Sequence, residues 1–267
     1  ASSLDMRRDF MYGLVLEGGG GRGAYEIGAC RALYEKGIEF SCIAGTSIGA
    51  LNGAILVQND IEKAYDIWYN LSPSKVINLT SEEAEEISQA NSKLSHFSNR
   101  IRRVKKIILE KGLDISPLIN IVNNVIDEER IRKSKIDFGI VTVDLTDKKA
   151  LEIYKEDIPE GKLIDYLIAS ASLPGFKRHT IDGRIFLDGG LYNALPVNLV
   201  KDKGCKNIIV IRTFAPGLKR RVDTRGLNLI HIAPSESLGS MLDFTCERAR
   251  RNLWLGYYDA VQALKKL

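Results

Sequence analysis

Apolar runs of strand length alternate with stretches of helical period along this chain. Tyr12 to Glu17 (YGLVLE) predicts a short buried strand, cut off by the glycine cluster Gly18 to Gly23, and Ala24 to Lys36 predicts an amphipathic helix ending at Gly37. Phe40 to Ala44 predicts a second strand. It runs into a second glycine turn, Gly45-Thr46-Ser47-Ile48-Gly49, followed by helices over Ala50 to about Gln58 and Ile61 to Asn70. From Ser72 to Asp137 the residues Ser, Asn, Glu and Lys dominate and no strand pattern appears, which predicts a helical insertion. Strands resume at Phe138 to Val143 and Ala150 to Tyr154, and a helix follows at Lys162 to Ser170. Ile181 to Leu187 predicts a hairpin whose Asp182-Gly183 pair suits a type I′ turn, and its second arm leads straight to Asp188. A helix over Val197 to Lys203, strands over Asn207 to Arg212 and Leu229 to Ile232, and a long helix over Asp243 to Leu267 complete the pattern. Such alternation describes an α/β chain.

With 267 residues, 45% of them apolar and 27% charged, the chain can bury a large core, which excludes disorder and a small stapled scaffold. We read residues 1–267 as a single domain, with the motifs between about 12 and 203 and with 204–267 completing it. The 38 Lys and Arg against 34 Asp and Glu leave a charge of +4, too mild to argue for a nucleic-acid partner. Cys30, Cys42, Cys205 and Cys246 form no C-x-x-C pair, and His96, His179 and His231 give no zinc-ligand spacing. Reduced thiols, no structural metal and no cofactor are therefore expected. Met6 is the expected natural start, no cleavable signal follows it, and a cytoplasmic location is the expectation. The uncharged stretch Phe40 to Asn59 carries Gly45, Gly49, Gly53 and Asn52, so it reads as strand, turn and helix rather than as a membrane span.

The turn at Gly45 to Gly49 fits G-x-S-x-G. In that pattern the flanking glycines let strand and helix approach closely while the serine, here Ser47, stands on a strained corner as a nucleophile candidate. The bland alternative is a glycine turn with an incidental serine. The glycine run puts several backbone N–H groups at a helix N-terminus, a geometry that stabilises an anion or a developing oxyanion. It also contains a G-x-G-x-x-G (Gly18, Gly20, Gly23), the mark of a dinucleotide site. That reading needs an acid at the end of the second strand, where this chain has the serine turn instead. No histidine has a clear setting beside Ser47. Asp188, by contrast, closes an apolar strand and precedes Gly189-Gly190, which allow a sharp turn and a close approach to another loop. It could act as a base on Ser47 or simply cap the glycine turn.

Taken in order, the glycine loop closing in Arg22-Gly23, the G-x-S-x-G of Gly45 to Gly49 and the Asp188-Gly189-Gly190 triplet resemble the patatin-like phospholipases, over about Tyr12 to Lys203. The resemblance implies a three-layer α/β/α fold with a mixed central sheet, and hydrolysis of fatty acyl esters in lipid or phospholipid substrates by a Ser-Asp dyad without metal or cofactor. Position by position, Ser47 resembles the nucleophile and Asp188 the dyad aspartate. Gly19 and Gly20 resemble the oxyanion loop, with Gly18, Gly21, Arg22 and Gly23 around them. Glu17 departs from the pattern, since many members carry Asp or a small residue there. Arg22 has two readings, neutralising a substrate phosphate or bracing the loop through a carboxylate. Members often continue past the position of Leu267.

Two other readings stay open on the residues alone: a Ser-His-Asp esterase using His231, and a non-catalytic nucleotide- or lipid-binding module. A basic stretch, Lys93 to Lys111, interleaves Arg100, Arg102, Arg103, Lys105 and Lys106 with apolar residues at near-helical spacing. It fits peripheral contact with a membrane surface, and equally a core-packed helix with a solvated basic face. Oligomeric state has no signature in the sequence.

Overall fold

The computed structural model describes residues 11–78 and 112–265; the basic stretch Lys93 to Lys111 and His96 lie outside the described residues. Eight strands form one mixed sheet: β1 (Tyr12–Leu16), β2 (Phe40–Thr46), β3 (Asp137–Asp144), β4 (Lys149–Tyr154), β5 (His179–Ile181), β6 (Arg184–Asp188), β7 (Asn207–Ile211) and β8 (Asn228–Ile232). The order is β5-β6-β3-β2-β1-β7-β8, with β4 also paired to β3. The strands from β3 through β8 in that order run parallel, whereas β4, β5 and β6 pair antiparallel.

Among the described residues the helices are α1 (Gly23–Glu35), α2 (Ile48–Val57), α3 (Ile61–Tyr69), α4 (Ser116–Val125), α5 (Glu128–Lys133), α6 (Leu163–Ser170), α7 (Val197–Asp202) and α8 (Cys246–Leu264). Side chains of the inner strands alternate between two cores, as strands covered on both faces require. Leu14, Leu16, Ile43, Ile209 and Ile211 join α1, α2 and α8 on one face, while Val15, Cys42, Ala44, Ile208 and Val210 join Val197, Leu199 and Val200 of α7 on the other. The architecture is therefore α/β/α with a mixed central sheet. Of the helical insertion expected over 72–137, the described part contributes α4 and α5.

β3 decides where the site forms. Its first half pairs with β2, ending at Thr46 opposite Val141; its last three residues pair with β6, ending at Asp188 opposite Thr142. Both run along the same edge, because β4 occupies the other from Gly139 to Asp144. β2 runs parallel to β3 and β6 antiparallel, so the two strands meet head-on and their last residues fall on consecutive positions of one edge. The β5–β6 hairpin turns at Asp182-Gly183 with φ of 49° and 77°, the two positive values of a type I′ turn.

Candidate active site

Ser47 links β2 to α2 with φ 59° and ψ −132°, a left-handed conformation that a serine adopts only when its surroundings impose it. Those surroundings are glycines. A Cβ on Gly45 would lie 2.3 Å from Gly49 O, one on Gly49 would lie 2.7 Å from Leu16 O, and one on Gly18 would lie 2.3 Å from Thr46 O. The serine corner and the glycine loop thus interlock through backbone atoms. Ser170, at the end of α6, completes the brace: its Oγ accepts the Ser47 amide at 2.9 Å and donates to Val141 O at 2.6 Å.

Asp188 is 3% exposed and Ser47 7%. Asp188 Oδ1 accepts the Gly190 amide at 2.7 Å, so this oxygen does cap the glycine turn. Its other oxygen, Oδ2, is buried and has no hydrogen-bond partner. Burial pushes the Asp188 pKa up to about 6, and the nearby Ser47 hydroxyl and the Gly190 amide moderate the rise. As the side chains stand, no hydrogen bond of ordinary geometry joins the two residues, and such a contact commonly tightens only when substrate binds.

The glycine loop divides by what its amides do. Gly18 N donates to Glu26 Oε1 at 2.7 Å and Gly21 N to Met241 O at 2.7 Å. Among the described residues, the amides of Gly19 and Gly20 meet no acceptor, and Gly20 lines a cleft together with Ser47. Arg22 does brace the loop, but through backbone carbonyls of Gly239, Thr213 and Phe214 rather than a carboxylate. Glu17 is buried and accepts from Arg212, Lys219 and the amides of Thr213 and Phe214. Burial alone would raise its pKa; these hydrogen bonds outweigh burial and hold it below the ordinary carboxylate value. The Glu17 departure therefore ties the end of β1 to the segment after β7 that flanks the glycine loop.

Behind the loop lies a second buried acid that the sequence did not single out. Glu26 of α1 accepts Gly18 N through Oε1 and Asn52 Nδ2 at 2.8 Å through Oε2, and Asn52 Oδ1 in turn accepts Trp68 Nε1 at 2.9 Å. With no cation beside it, burial pushes Glu26 up to about 8. Asn52 and Trp68 line the cleft, so this network joins the loop to the cleft wall.

The cleft beside Ser47 is partly open to solvent. Ile48, Leu51 and Ile55 of α2, Val122 of α4, and Phe176 and Phe244 give it an apolar wall. The two described histidines, His179 and His231, are elsewhere. His231 is exposed on β8, three strands from β2, about 14 Å at ordinary strand spacing. His179 on β5 lies 3.6 Å from Asp165 and does not line the cleft. Among the described residues no group of His, Cys, Asp and Glu could hold a metal ion.

A strand that ends on a strained serine and opens directly into a helix is the elbow found in α/β hydrolases, and the fold has solved counterparts. It is similar to VipD from Legionella pneumophila, with a TM-score of 0.52, 15% identity, and coverage of 96% of this chain and 67% of that one, a likeness of fold. The patatin-like phospholipase family profile matches residues 14–201, and the chain belongs to that family. Over 207 residues it is 28% identical to patatin-like phospholipase domain-containing protein 7 of Mus musculus and 26% identical to domain-containing protein 6 of Homo sapiens. Each alignment covers 74% of this chain and 13% of the relative, so the chain spans about an eighth of their length.

Proposed function

We propose that the chain is a lipid acyl hydrolase working through a Ser47–Asp188 dyad. One observation carries this reading: a strained, buried serine beside a desolvated aspartate whose free oxygen has no other partner. Asp188 takes the Ser47 proton as Oγ attacks the acyl carbonyl carbon. The amides of Gly19 and Gly20 donate to the oxyanion that forms, each donor contributing about 3 kcal/mol. The C–O bond to the alcohol then breaks, Asp188 returns the proton to the leaving oxygen, and the acyl group stays on Ser47. Water, deprotonated by Asp188, attacks this ester; the bond from the acyl carbon to Ser47 Oγ breaks, Asp188 returns the proton to Oγ, and the fatty acid leaves. A carboxylate with pKa near 6 is ionised at neutral pH yet holds a proton better than one in water, as a general base must. Gly18, Gly21, Arg22 and Gly23 hold the loop in shape, Gly45 and Gly49 form the serine corner, and Gly189 and Gly190 turn the chain away from Asp188.

Substrate presented in a lipid aggregate fits the surface round the site. Phe214 (55% exposed), Leu218 (64%), Leu191 and Leu242 are large apolar side chains left in solvent, all on segments that touch the site loops. Phe214 N donates to Glu17, Leu218 N donates to Gly190 O, Leu191 follows Gly190, and Leu242 adjoins the Met241 carbonyl that holds Gly21. Among the described residues no helix is long and apolar enough to cross a membrane. A Ser-His-Asp mechanism through His231 finds no support in that residue's place on β8.

A fluorophosphonate probe tests the reading. One adduct on Ser47 is expected, absent in Ser47→Ala and slowed at least 100-fold in Asp188→Asn. Labelling of another residue, or none in the folded wild type, would overturn it.

A further inference from the structure

We infer that Ile55 and Ile126 form the blind end of an acyl-chain ruler, which makes medium-chain acyl groups of about ten carbons the preferred substrates. The inference rests on the proposed acyl hydrolysis at Ser47. The cleft follows one face of α2, with Ser47, Ile48, Leu51 and Ile55 all lining it, and one face of α4 at Leu118 and Val122, with Ile126 just past the end of that helix. The segment before α4 is pinned to the cleft wall, since Leu113 N donates to Gly175 O between Leu173 and Phe176, which also line the cleft.

At the other end Gln58, 3% exposed, closes the gap between the helix ends. Its Nε2 donates to Val125 O at 2.9 Å, its Oε1 accepts the Asp127 amide at 3.0 Å, and its carbonyl accepts Arg130 Nη2. Ile55 and Ile126, both buried, sit just inside this stitch. The eight residues from Ser47 to Ile55 advance about 12 Å at a helical rise of 1.5 Å. A carbon chain at tetrahedral angles advances about 1.25 Å per bond, so about nine or ten bonds fill that depth. A shorter chain leaves apolar wall in contact with water, and a longer one meets Ile55 and Ile126. One methylene gained or refused changes kcat/KM about tenfold.

The test is kcat/KM for p-nitrophenyl esters of four to sixteen carbons, kept below micelle formation, for wild type, Ile55→Ala, Ile126→Ala and Ile55→Phe. Ratios between chain lengths are compared within one preparation, so a partly unfolded variant still reports. The wild type is expected to peak near ten carbons, both alanine variants to raise the sixteen-to-eight-carbon ratio at least tenfold, and Ile55→Phe to move the peak to shorter esters. Active enzymes whose ratios stay within twofold of wild type would overturn the ruler and leave acyl hydrolysis standing. No turnover of any ester by folded wild type would overturn the hydrolase reading itself, and the ruler with it.

Discussion

Ser170 holds Ser47 in place: its Oγ accepts the Ser47 amide at 2.9 Å and hands its own proton to Val141 O at 2.6 Å. A single hydroxyl thereby joins the end of α6 to the serine corner and to β3, the strand on which β2 and β6 meet. Replacing Ser170 with alanine leaves the buried Ser47 N–H and one carbonyl unpaired. The expected loss is about 1–3 kcal/mol of stability, with kcat falling at least tenfold and KM little changed. Thermal melts and ester kinetics on Ser170→Ala, with Ser170→Thr as the variant that keeps the hydroxyl, check this.

The raised pKa of Asp188 has consequences of definite sign. As a base it must be ionised, so kcat/KM is expected to fall on the acid side with a midpoint near pH 6. Stability runs the other way. The folded pKa lies above the ordinary 3.8, so the folded state gains relative to the unfolded one when the proton is on. This contribution is fully present below pH 3.8 and lost as pH rises through about 6. Asp188→Asn keeps the cap on Gly190 and removes the buried charge. It is expected to exceed wild type in stability at pH 8, by on the order of 3 kcal/mol for a shift of about two units. The gap should close below pH 4. Denaturant melts at the two pH values measure it, and a variant less stable than wild type at pH 8 would contradict the desolvation argument.

The interlocked glycines should tolerate nothing larger. Gly45→Ala places a methyl group 2.3 Å from Gly49 O, a backbone atom that cannot yield without opening the corner. A loss of about 3 kcal/mol or more is expected. Gly183→Ala is the comparison: its φ is 77° but open space surrounds it, so only the left-handed backbone strain, about 1 kcal/mol, should appear.

The exposed apolar rim separates lipid aggregates from soluble esters. Phe214→Ser with Leu218→Ser removes two side chains that are each worth about 1.5–3 kcal/mol when taken out of water. The double variant is expected to sediment at least tenfold less with phospholipid vesicles, and its ratio of vesicle to soluble-ester turnover should fall likewise. Unchanged sedimentation would remove this surface from the account of substrate access.

Much of the fold is legible in the sequence because its signals are local. Asp182-Gly183 turns the hairpin as its residue types demand, and the glycine cluster and Gly37 bound the first helix within a residue. β2 extends beyond Ala44 through Gly45 and Thr46, since the strand pairs with β3 up to the serine itself. The last helix begins at Cys246 rather than Asp243, because Thr245 Oγ1 accepts the Arg248 amide and serves as its cap. At the site, the serine corner and Asp188 carried sequence signals, while Ser170 did not: it meets Ser47 across 123 positions of chain, and nothing near it in sequence marks that contact. Glu26 had a faint signal, a charge among small apolar residues of a helix otherwise buried around it. The split within the glycine loop was not legible either, because the acceptors for Gly18 and Gly21 come from Glu26 and the distant Met241.

The dyad is tested most directly by release of p-nitrophenol from a medium-chain ester and of fatty acid from phospholipid vesicles, measured on wild type, Ser47→Ala, Asp188→Asn, His179→Ala and His231→Ala. Both dyad variants are expected to be folded and inactive, with at least a 1,000-fold loss in kcat, while the histidine variants stay within a few-fold of wild type. Full turnover by Asp188→Asn, or its loss in a folded His231→Ala, would contradict the assignment.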